Sequence, residues 1–296
     1  MCCSALWSVV RGVFVRPWMD MLHCNAMIHL QTIKLRELAP DTASVFPFRV
    51  PAIRNLAGTS LALTAEVTFF VGENGSGKST LLEAIASAAR SITVGSESTE
   101  RDPSLSSVQT LANQLKLTWK KRTHRGFFMR SEDFFGYARK MQALRAEFEA
   151  ELRAVDNDPS LSDTARAFGR LPYARSIAEM KQKYGDGLDY FSHGESFFTL
   201  FKSRFVPHGL YLLDEPEAPL SPMRQLAFIS MLKAMVAEEN AQFIIATHSP
   251  ILMAFPDAMI YSFDEGQIQQ VAYDQVPHVA ITRDFLSNPK PFLRHL

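Results

Sequence analysis

Residues 72–79 have the sequence GENGSGKS and directly follow the run EVTFFV at residues 66–71. The run is apolar and rich in β-branched and aromatic residues, which predicts a buried strand. From Thr80 to Ala89, leucine and isoleucine recur on one face and alanine fills most of the rest, which predicts a helix. A strand, a glycine-rich loop and a helix are therefore expected in immediate succession.

The loop matches the pattern G-x-x-x-x-G-K-[ST] at every fixed position, and this pattern is typical of phosphate-binding loops. Its glycines allow a sharp turn that brings backbone N–H groups close to phosphate oxygens, and the positive end of the following helix adds to the attraction. We expect Lys78 to contact the β- and γ-phosphates of ATP and the Ser79 hydroxyl to coordinate Mg²⁺. The predicted ATP-binding residues of this region are Gly72, Asn74, Gly75, Ser76, Gly77, Lys78, Ser79 and Thr80.

A second apolar run, GLYLL at residues 209–213, leads to Asp214 and Glu215 and is predicted to form a strand beside the first. Asp214 is expected to hold Mg²⁺ through water, and Glu215 is expected to polarise the attacking water as the general base. Adjacent carboxylates on a strand point to opposite faces unless the strand ends between them, and Pro216 forces the chain away from the sheet. The alternative is an apolar strand followed by ordinary acidic turn residues.

A third predicted strand, AQFIIA at residues 241–246, leads to His248. A lone histidine is more often a surface or core residue than a functional one. At the end of this strand, however, a histidine could hydrogen-bond the γ-phosphate and detect its loss. We therefore predict Glu215, His248 and Lys78 as the catalytic residues.

These motifs together resemble those of the ATP-binding-cassette ATPases. Residues 72–79 resemble the Walker A loop of that family, and residues 211–217 (YLLDEPE) resemble its Walker B strand with the catalytic glutamate. Residues 218–221 (APLS) resemble the following loop, where partner subunits touch. His248 resembles the switch histidine of the family.

Residues 191–196, FSHGES, resemble the family signature L-S-G-G-Q. Ser192 and Gly194 match it, whereas His193 replaces a glycine and Glu195 replaces the glutamine. The resemblance implies that Ser192, Gly194 and Glu195 lie at the ATP of a second subunit. It therefore implies a homodimer, joined head to tail when ATP binds and released by hydrolysis.

The resemblance extends over most of residues 27–296, and the phrases DEPEAPLS (214–221) and ATHSPIL (246–252) are similar to stand-alone AAA/ABC-type ATPases related to the Rad50, SMC and RecF branch. It implies hydrolysis of ATP to ADP and phosphate, in a complex that acts on DNA or in repair or defence. The alternatives are the ATP-binding subunit of a membrane transporter and a non-enzymatic switch that scaffolds a protein partner. Transporter subunits usually have a glutamine loop, for which Gln109 and Gln114 are poor candidates.

Residues 91–190 separate the phosphate loop from the signature. The polar stretch 91–107 predicts a mobile loop, residues 114–120 alternate like a strand, and residues 132–154 have the apolar spacing of a helix. We expect an α/β P-loop fold with a mainly parallel sheet, an antiparallel β portion and a helical insert over about residues 131–185. In this class such an insert is the usual seat of partner recognition.

Basic and aromatic side chains are interleaved between residues 119 and 130, and such clusters can bind single-stranded nucleic acid. We favour the simpler interpretation, a solvated hairpin beside the nucleotide. Phe46 and Phe48 are candidates for stacking on the adenine.

The composition of the whole chain excludes some classes. The 31 basic and 31 acidic residues give a formal net charge of zero, which argues against a globally basic nucleic-acid-binding protein. No apolar run reaches the roughly 18–20 residues that span a bilayer. The cysteines Cys2, Cys3 and Cys24 lie outside the motif region, which favours a reducing cytoplasm.

Residues 1–26 are expected to be a disordered extension or the product of an early start codon. They do not have the charge order of a signal peptide. Residues 27–35, MIHLQTIKL, alternate as in a strand, so we expect translation to begin near Met27 and the ATPase domain to occupy residues 27–296.

Overall fold

The computed structural model describes residues 8–10, 13–15, 27–39, 41–93, 108–184 and 193–294. Its strands are β1 (Ser8–Val10), β2 (Val13–Val15), β3 (Leu30–Leu35), β4 (Ser60–Ala62), β5 (Val67–Val71), β6 (Ile92–Thr93), β7 (Leu115–Trp119), β8 (Phe127–Arg130), β9 (Leu210–Asp214), β10 (Gln242–Ala246), β11 (Met259–Ser262) and β12 (Gln269–Gln270). Its helices are α1 (Pro51–Asn55), α2 (Lys78–Ala89), α3 (Gln109–Gln114), α4 (Ser131–Asn157), α5 (Asp163–Tyr184), α6 (His193–Ser203), α7 (Pro222–Glu239), α8 (Pro250–Met253), α9 (Pro277–Ser287) and α10 (Pro289–Leu293).

The main sheet has the strand order β12-β11-β5-β10-β9-β8-β6. All neighbouring pairs are parallel except β11 and β12 at one edge. The predicted mainly parallel sheet is therefore confirmed. The order corrects one detail, because the strand that ends in Asp214 is not beside β5. The strand that leads to His248, β10, lies between them and pairs with both.

Two apolar cores cover the two faces of this sheet. Every residue of β5, β9 and β10 is buried, as expected for parallel strands with both faces covered. Successive residues alternate between the cores: Phe70 packs with α2 and the antiparallel strands, whereas Phe69 packs with α6 and α7. Full burial of one such side chain contributes about 1.5–3 kcal/mol relative to exposure. The central strands are thus fixed from both sides, which holds their carboxyl ends in place.

The predicted antiparallel β portion is a second sheet with the order β4-β3-β7. The side chain of Gln242 connects it to the main sheet. Gln242 Oε1 accepts hydrogen bonds from the backbone N–H groups of His29 and Leu30, at 2.9 and 2.8 Å, and Gln242 Nε2 donates to Leu30 O at 2.9 Å. Because Gln242 is the first residue of β10, these bonds tie the two sheets together at the amino end of that strand.

The helical insert consists of α4 and α5, which pack against each other. The rings of Phe148 and Tyr173 lie 6.4 Å apart, and Arg170 Nε lies 3.2 Å from Asp156 Oδ1. The helix predicted over residues 132–154 is confirmed as part of α4. This helix begins directly after Arg130, the last residue of β8, without a connecting loop.

The hairpin predicted between residues 119 and 130 is wrong. Strand β7 pairs with β3 in the antiparallel sheet, whereas β8 is a parallel strand of the main sheet. Phe127 and Phe128 are buried between neighbouring elements, so they cannot stack on bases from solvent. The sequence pattern was misleading because the apolar residues that build β8 directly follow a solvent-exposed basic stretch.

Several expectations fall outside the described residues. Most of the polar stretch 91–107 and residues 191–192 are among them. Of residues 1–26, only the short antiparallel pair β1 and β2 is described. Within the described ranges, none of the helices combines the length and the apolar character needed to cross a membrane.

Candidate functional site

The phosphate loop has the backbone that its sequence predicts. Gly72, Gly75 and Gly77 have φ angles of 139°, 78° and 106°, in the region that favours glycine. At Gly77 there is also no space for a side chain, since a Cβ atom would lie 2.9 Å from Cγ1 of Val50. Helix α2 begins at the next residue, Lys78, so its unpaired N–H groups face the loop.

Lys78 is folded back onto the loop. Its ammonium donates to Gly72 O at 2.7 Å and to Glu73 O at 3.0 Å, and the residue is 5% exposed. Burial lowers the pKa of Lys78, and the carboxylate of Glu215 opposes this. The hydroxyl of Ser76 is buried and has no hydrogen-bond partner among the described residues. An anion in the loop would satisfy both groups, which fits a phosphate.

The loop meets the end of β9 through one side-chain contact. Ser79 Oγ donates to Asp214 Oδ1 at 3.0 Å. Burial raises the pKa of Asp214 to about 7, although the hydrogen bond from Ser79 lowers it. A hydroxyl and a desolvated carboxylate oxygen that meet in this way fit Mg²⁺, which is usually held by few protein ligands and otherwise by phosphate and water. Ser79 and Asp214 are the residues that would hold the ion.

Glu215 leaves the strand in a left-handed conformation. Its φ angle is 50°, and its backbone N–H donates to Ala246 O at 2.9 Å. A left-handed residue other than glycine costs about 1–2 kcal/mol, so the neighbouring strand must hold it in place. Strand β9 thus ends between the two carboxylates. Asp214 remains buried in the sheet, while the Glu215 side chain is 44% exposed, as a group that acts on water requires.

His248 lies opposite Glu215, with its Nε2 atom 3.8 Å from Glu215 Oε1. Its backbone N–H donates to Glu217 Oε1 at 2.8 Å, which anchors the turn after β10. Burial lowers the pKa of His248, and Lys78 lowers it further. The side chain is therefore a neutral imidazole near pH 7, able to donate one hydrogen bond.

A second histidine, which the sequence patterns did not indicate, is in contact with the first. His278 is the second residue of α9, and its Nε2 atom lies 3.4 Å from His248 Nδ1 and 3.8 Å from Glu73 Oε1. Glu73 belongs to the phosphate loop. His278 is 30 residues from His248 in sequence, and no motif marks it.

Arg130 also lies in this region. From the sequence it was expected to belong to the solvated hairpin of residues 119–130. It ends β8 in register with Asp214 and is 8% exposed. Its guanidinium contacts Glu83 on α2 at 3.3 Å and Asp133 on α4 at 3.2 Å. A single cation therefore links the helix after the phosphate loop to the first turn of the insert.

We expect Arg130→Leu to lower the free energy of unfolding by about 2–4 kcal/mol, because Glu83 and Asp133 would lose a largely buried cation. Chemical denaturation measures this loss. Arg175→Leu is the matched control: Arg175 forms an exposed pair with Glu179 and should contribute less than about 0.5 kcal/mol. Equal losses in the two variants would mean that Arg130 has no structural role of this kind.

The glutamine-loop candidates do not lie at the junction of sheet and insert. Gln109 Oε1 accepts a hydrogen bond from Ser87 Oγ at 2.8 Å, near the carboxyl end of α2. Helix rise places Ser87 about 13 Å from Lys78 along that helix. Gln114 is the last residue of α3. Arg130 stands at the junction itself.

A cavity of about 430 Å³ adjoins the phosphate loop. Its lining includes Asn74 and Gly75 from the loop, the apolar side chains of Pro51, Phe263 and Pro277, and three carboxylates, those of Glu73, Asp264 and Glu265. Neither candidate for adenine stacking lines it. Phe48 is 3% exposed and lies in the core, and Phe46 is 40% exposed.

The signature residues are less completely described. Ser192 lies outside the described residues, and Gly194 and Glu195 are in the first turn of α6, where only the backbone is described. Their predicted contact with a second subunit stays a prediction. Thr80 lies in the first turn of α2, beside Ser79.

Two family models match the sequence. One, described as "AAA domain", matches residues 50–171, which include the phosphate loop and Arg130. The other, described as "AAA domain, putative AbiEii toxin, Type IV TA system", matches residues 196–254, which include Asp214, Glu215 and His248. A search of curated proteins finds no match.

Similar solved structures include CbiO1 from Clostridium perfringens, part of the ABC transporter complex cbiONQ, with 17% identity over 90% of this chain and 100% of that one, at a TM-score of 0.44. They also include the SMC head domain from Thermotoga maritima, with 16% identity over 82% and 98%, at a TM-score of 0.40. The Smc head domain from Pyrococcus furiosus has 10% identity over 88% and 99%, at a TM-score of 0.42.

These TM-scores are below 0.5, so the assignment rests on the family models, the sheet and the geometry of the loop. The sheet and the phosphate loop are those of a P-loop fold, and the two AAA-domain models make the chain similar to ATPases of the ABC/AAA type.

Proposed function

We propose that this protein binds ATP with Mg²⁺ on the phosphate loop and hydrolyses it to ADP and phosphate. One observation carries the proposal: the hydrogen bond between Ser79 and Asp214 brings the loop to the strand end where Glu215 and His248 face each other. A phosphate anchored on the loop would therefore lie beside a metal-binding pair, a carboxylate and an imidazole.

Each of these residues has a role that follows from its surroundings. Lys78 and the backbone N–H groups of the loop bind the phosphates. The Glu215 carboxylate is 44% exposed at the end of β9, and it polarises the attacking water as general base. His248, kept neutral by burial, donates a hydrogen bond toward the terminal phosphate. Mg²⁺, when bound, supplies positive charge for the leaving phosphates.

We propose that ATP joins two copies head to tail, with Ser192, Gly194 and Glu195 of one copy completing the site of the other. The exposure of Glu215 supports this proposal, because a carboxylate that acts on water works best when a second surface covers it. Hydrolysis then releases the copies.

For the biological role, we favour a DNA-associated or defence complex in the cytoplasm over an energising transporter subunit. The family model for residues 196–254 carries the description of a type IV toxin–antitoxin system, which supports a role in defence. The buried Phe127 and Phe128 argue against binding of single-stranded nucleic acid by base stacking on the β8 segment. The burial of these two rings does not argue against a partner that is double-stranded DNA or a protein.

Phosphate release, measured over a range of protein concentrations with and without duplex DNA, tests this proposal. Turnover per subunit that rises with protein concentration supports the dimer, and stimulation by DNA supports the role on DNA. Co-purification with a membrane-embedded partner would instead favour the transporter role. A wild-type protein with no turnover under any of these conditions contradicts hydrolysis.

Lys78→Ala should weaken the binding of Mg-ATP by about 10–100-fold, because a hydrogen bond from a charged donor contributes about 1.5–3 kcal/mol. Titration with a fluorescent ATP analogue measures the affinity. Lys140→Ala, on the exposed face of α4, is the control and should bind like the wild type. Unchanged affinity in Lys78→Ala would contradict the assignment of the loop.

A further inference from the structure

We propose that His278 is a positioning residue of the ATP site, which keeps the proton of His248 on Nε2, the ring atom that faces Glu215. The inference rests on the proposed function, since it assigns His278 a part in that reaction. Nothing in the motifs of the chain points to this residue. It enters the site only because α9 places it against the turn after β10.

The groups around His278 favour one position for its proton. Its Nε2 atom faces two groups that can accept a proton, His248 Nδ1 at 3.4 Å and Glu73 Oε1 at 3.8 Å. Its Nδ1 atom is buried, and among the described residues it has no hydrogen-bond partner. On Nε2 the single proton of a neutral His278 has the His248 lone pair and the Glu73 carboxylate near it, whereas on Nδ1 it would have no acceptor in hydrogen-bond range among the described residues. The proton of His278 therefore belongs on Nε2.

The position of that proton determines the state of His248. If His278 Nε2 donates, His248 Nδ1 must accept and cannot carry a proton itself. A neutral His248 then has its single proton on Nε2. Burial, which lowers the pKa of His248, favours this neutral form.

His248 Nε2 is the atom that the reaction needs. Like His278 Nδ1, it is buried and has no hydrogen-bond partner within the described part of the chain, but it lies 3.8 Å from Glu215 Oε1, and that carboxylate attracts a proton on it. With a proton, it can donate to an anionic oxygen beside Glu215. Without one, it would present a lone pair to that oxygen, which is repulsive. His278 thus determines whether His248 attracts or repels a phosphate oxygen.

The contact also couples the phosphate loop to the turn after β10. Glu73 precedes Asn74 in the loop, and its carboxylate attracts the N–H of His278. The two imidazole rings meet edge to face, with their centroids 5.1 Å apart. A movement of the Glu73 side chain would therefore alter the contact between His278 and His248.

A matched pair of substitutions separates hydrogen bonding from packing. In His278→Gln the amide N–H can still donate to His248 Nδ1, whereas in His278→Glu the ionised carboxylate can only accept. The two side chains have nearly the same size and shape. Ordinary loss of packing would affect both equally.

The tautomer of His248 can be measured without nucleotide. In ¹⁵N-labelled histidine spectra above pH 8, with His248→Gln used for assignment, we expect the proton on Nε2 in the wild type and in His278→Gln. In His278→Glu we expect it on Nδ1. A proton on Nδ1 of His248 in the wild type, or the same tautomer in both variants, would overturn the proposal.

Turnover provides the second measurement. We expect His278→Glu to lower kcat by about 10–100-fold, the range for loss of one donor at a developing charge, and His278→Gln to stay within about threefold of wild type. If the wild type hydrolyses no ATP, the proposed function fails, while the spectra still decide the tautomer. If turnover is normal and the two variants are equal, only the role of His278 fails.

Discussion

Glu215→Gln is expected to reduce ATP turnover by about 10²–10⁴-fold while the affinity for Mg-ATP stays close to wild type. Glutamine has nearly the shape of glutamate but cannot accept a proton from the attacking water. Phosphate binding is provided by Lys78 and the loop, which the substitution leaves intact. Only the step that needs a base is removed. Single-turnover phosphate release and equilibrium binding measure the two quantities separately.

The same variant should also retain the ATP-bound dimer, because the step that releases it no longer occurs. Light scattering with ATP is expected to give a larger mass for Glu215→Gln than for the wild type. Glu238→Gln, on the exposed face of α7, is the control for removing one surface charge. Unchanged turnover in Glu215→Gln would remove this residue from the mechanism, whatever the result for the dimer.

Asp214→Asn is expected to make the nucleotide-free protein more stable at pH 8 while hydrolysis is lost. Burial raises the pKa of Asp214 to about 7, so near and above that pH the folded protein holds a desolvated carboxylate that the unfolded chain exposes to water. Asparagine has no charge and can still accept the hydrogen bond from Ser79. The gain in unfolding free energy should be on the order of 2–4 kcal/mol. Hydrolysis falls because Mg²⁺ loses an anionic ligand.

The sign of this effect depends on pH. The pKa of Asp214 is higher in the folded protein than in the unfolded chain, so the wild type loses stability as pH rises from about 4 to 7. The advantage of Asp214→Asn should therefore be absent near pH 4 and complete above pH 7. Asp158→Asn is the opposite control. Hydrogen bonds from Ser160 lower the pKa of Asp158, so replacing this carboxylate should not increase the free energy of unfolding at pH 8. An Asp214→Asn protein no more stable than wild type at pH 8 would show that desolvation does not dominate at this carboxyl.

The parts of the site that could be predicted from the sequence are those whose residues are consecutive. The glycines of the loop at residues 72–79 specify its backbone conformation, and the helix that completes the phosphate site follows it directly. Asp214 and Glu215 lie at the end of an apolar run, which forms a strand that is buried on both faces. In these segments one local pattern specifies the residue type, the element and the direction of the chain. The pairing of β9 and β10 in register then brings Asp214 and Ala246, two residues before His248, to the same edge.

Arg130 and His278 could not be predicted because their partners are distant in sequence. Arg130 is 47 residues from Glu83 and reaches it only after β8 has paired with β9. In the sequence it follows a run of basic residues, and a composition pattern cannot separate one buried cation from its exposed neighbours. The position of β10 between β5 and β9 could not be predicted for the same reason, because strand order depends on tertiary packing and not on the strand sequences.

The direct passage from β8 into α4 has a mechanical consequence. Helix α4 contains 27 residues and is therefore about 40 Å long. Because no flexible linker separates it from Arg130, the helix cannot pivot independently of that strand end. A tilt of about 5° at its base would carry its far end through about 3–4 Å, given that length. A small displacement of the strand end near Asp214 would therefore be amplified along α4. It would produce a much larger displacement at the far end of the insert.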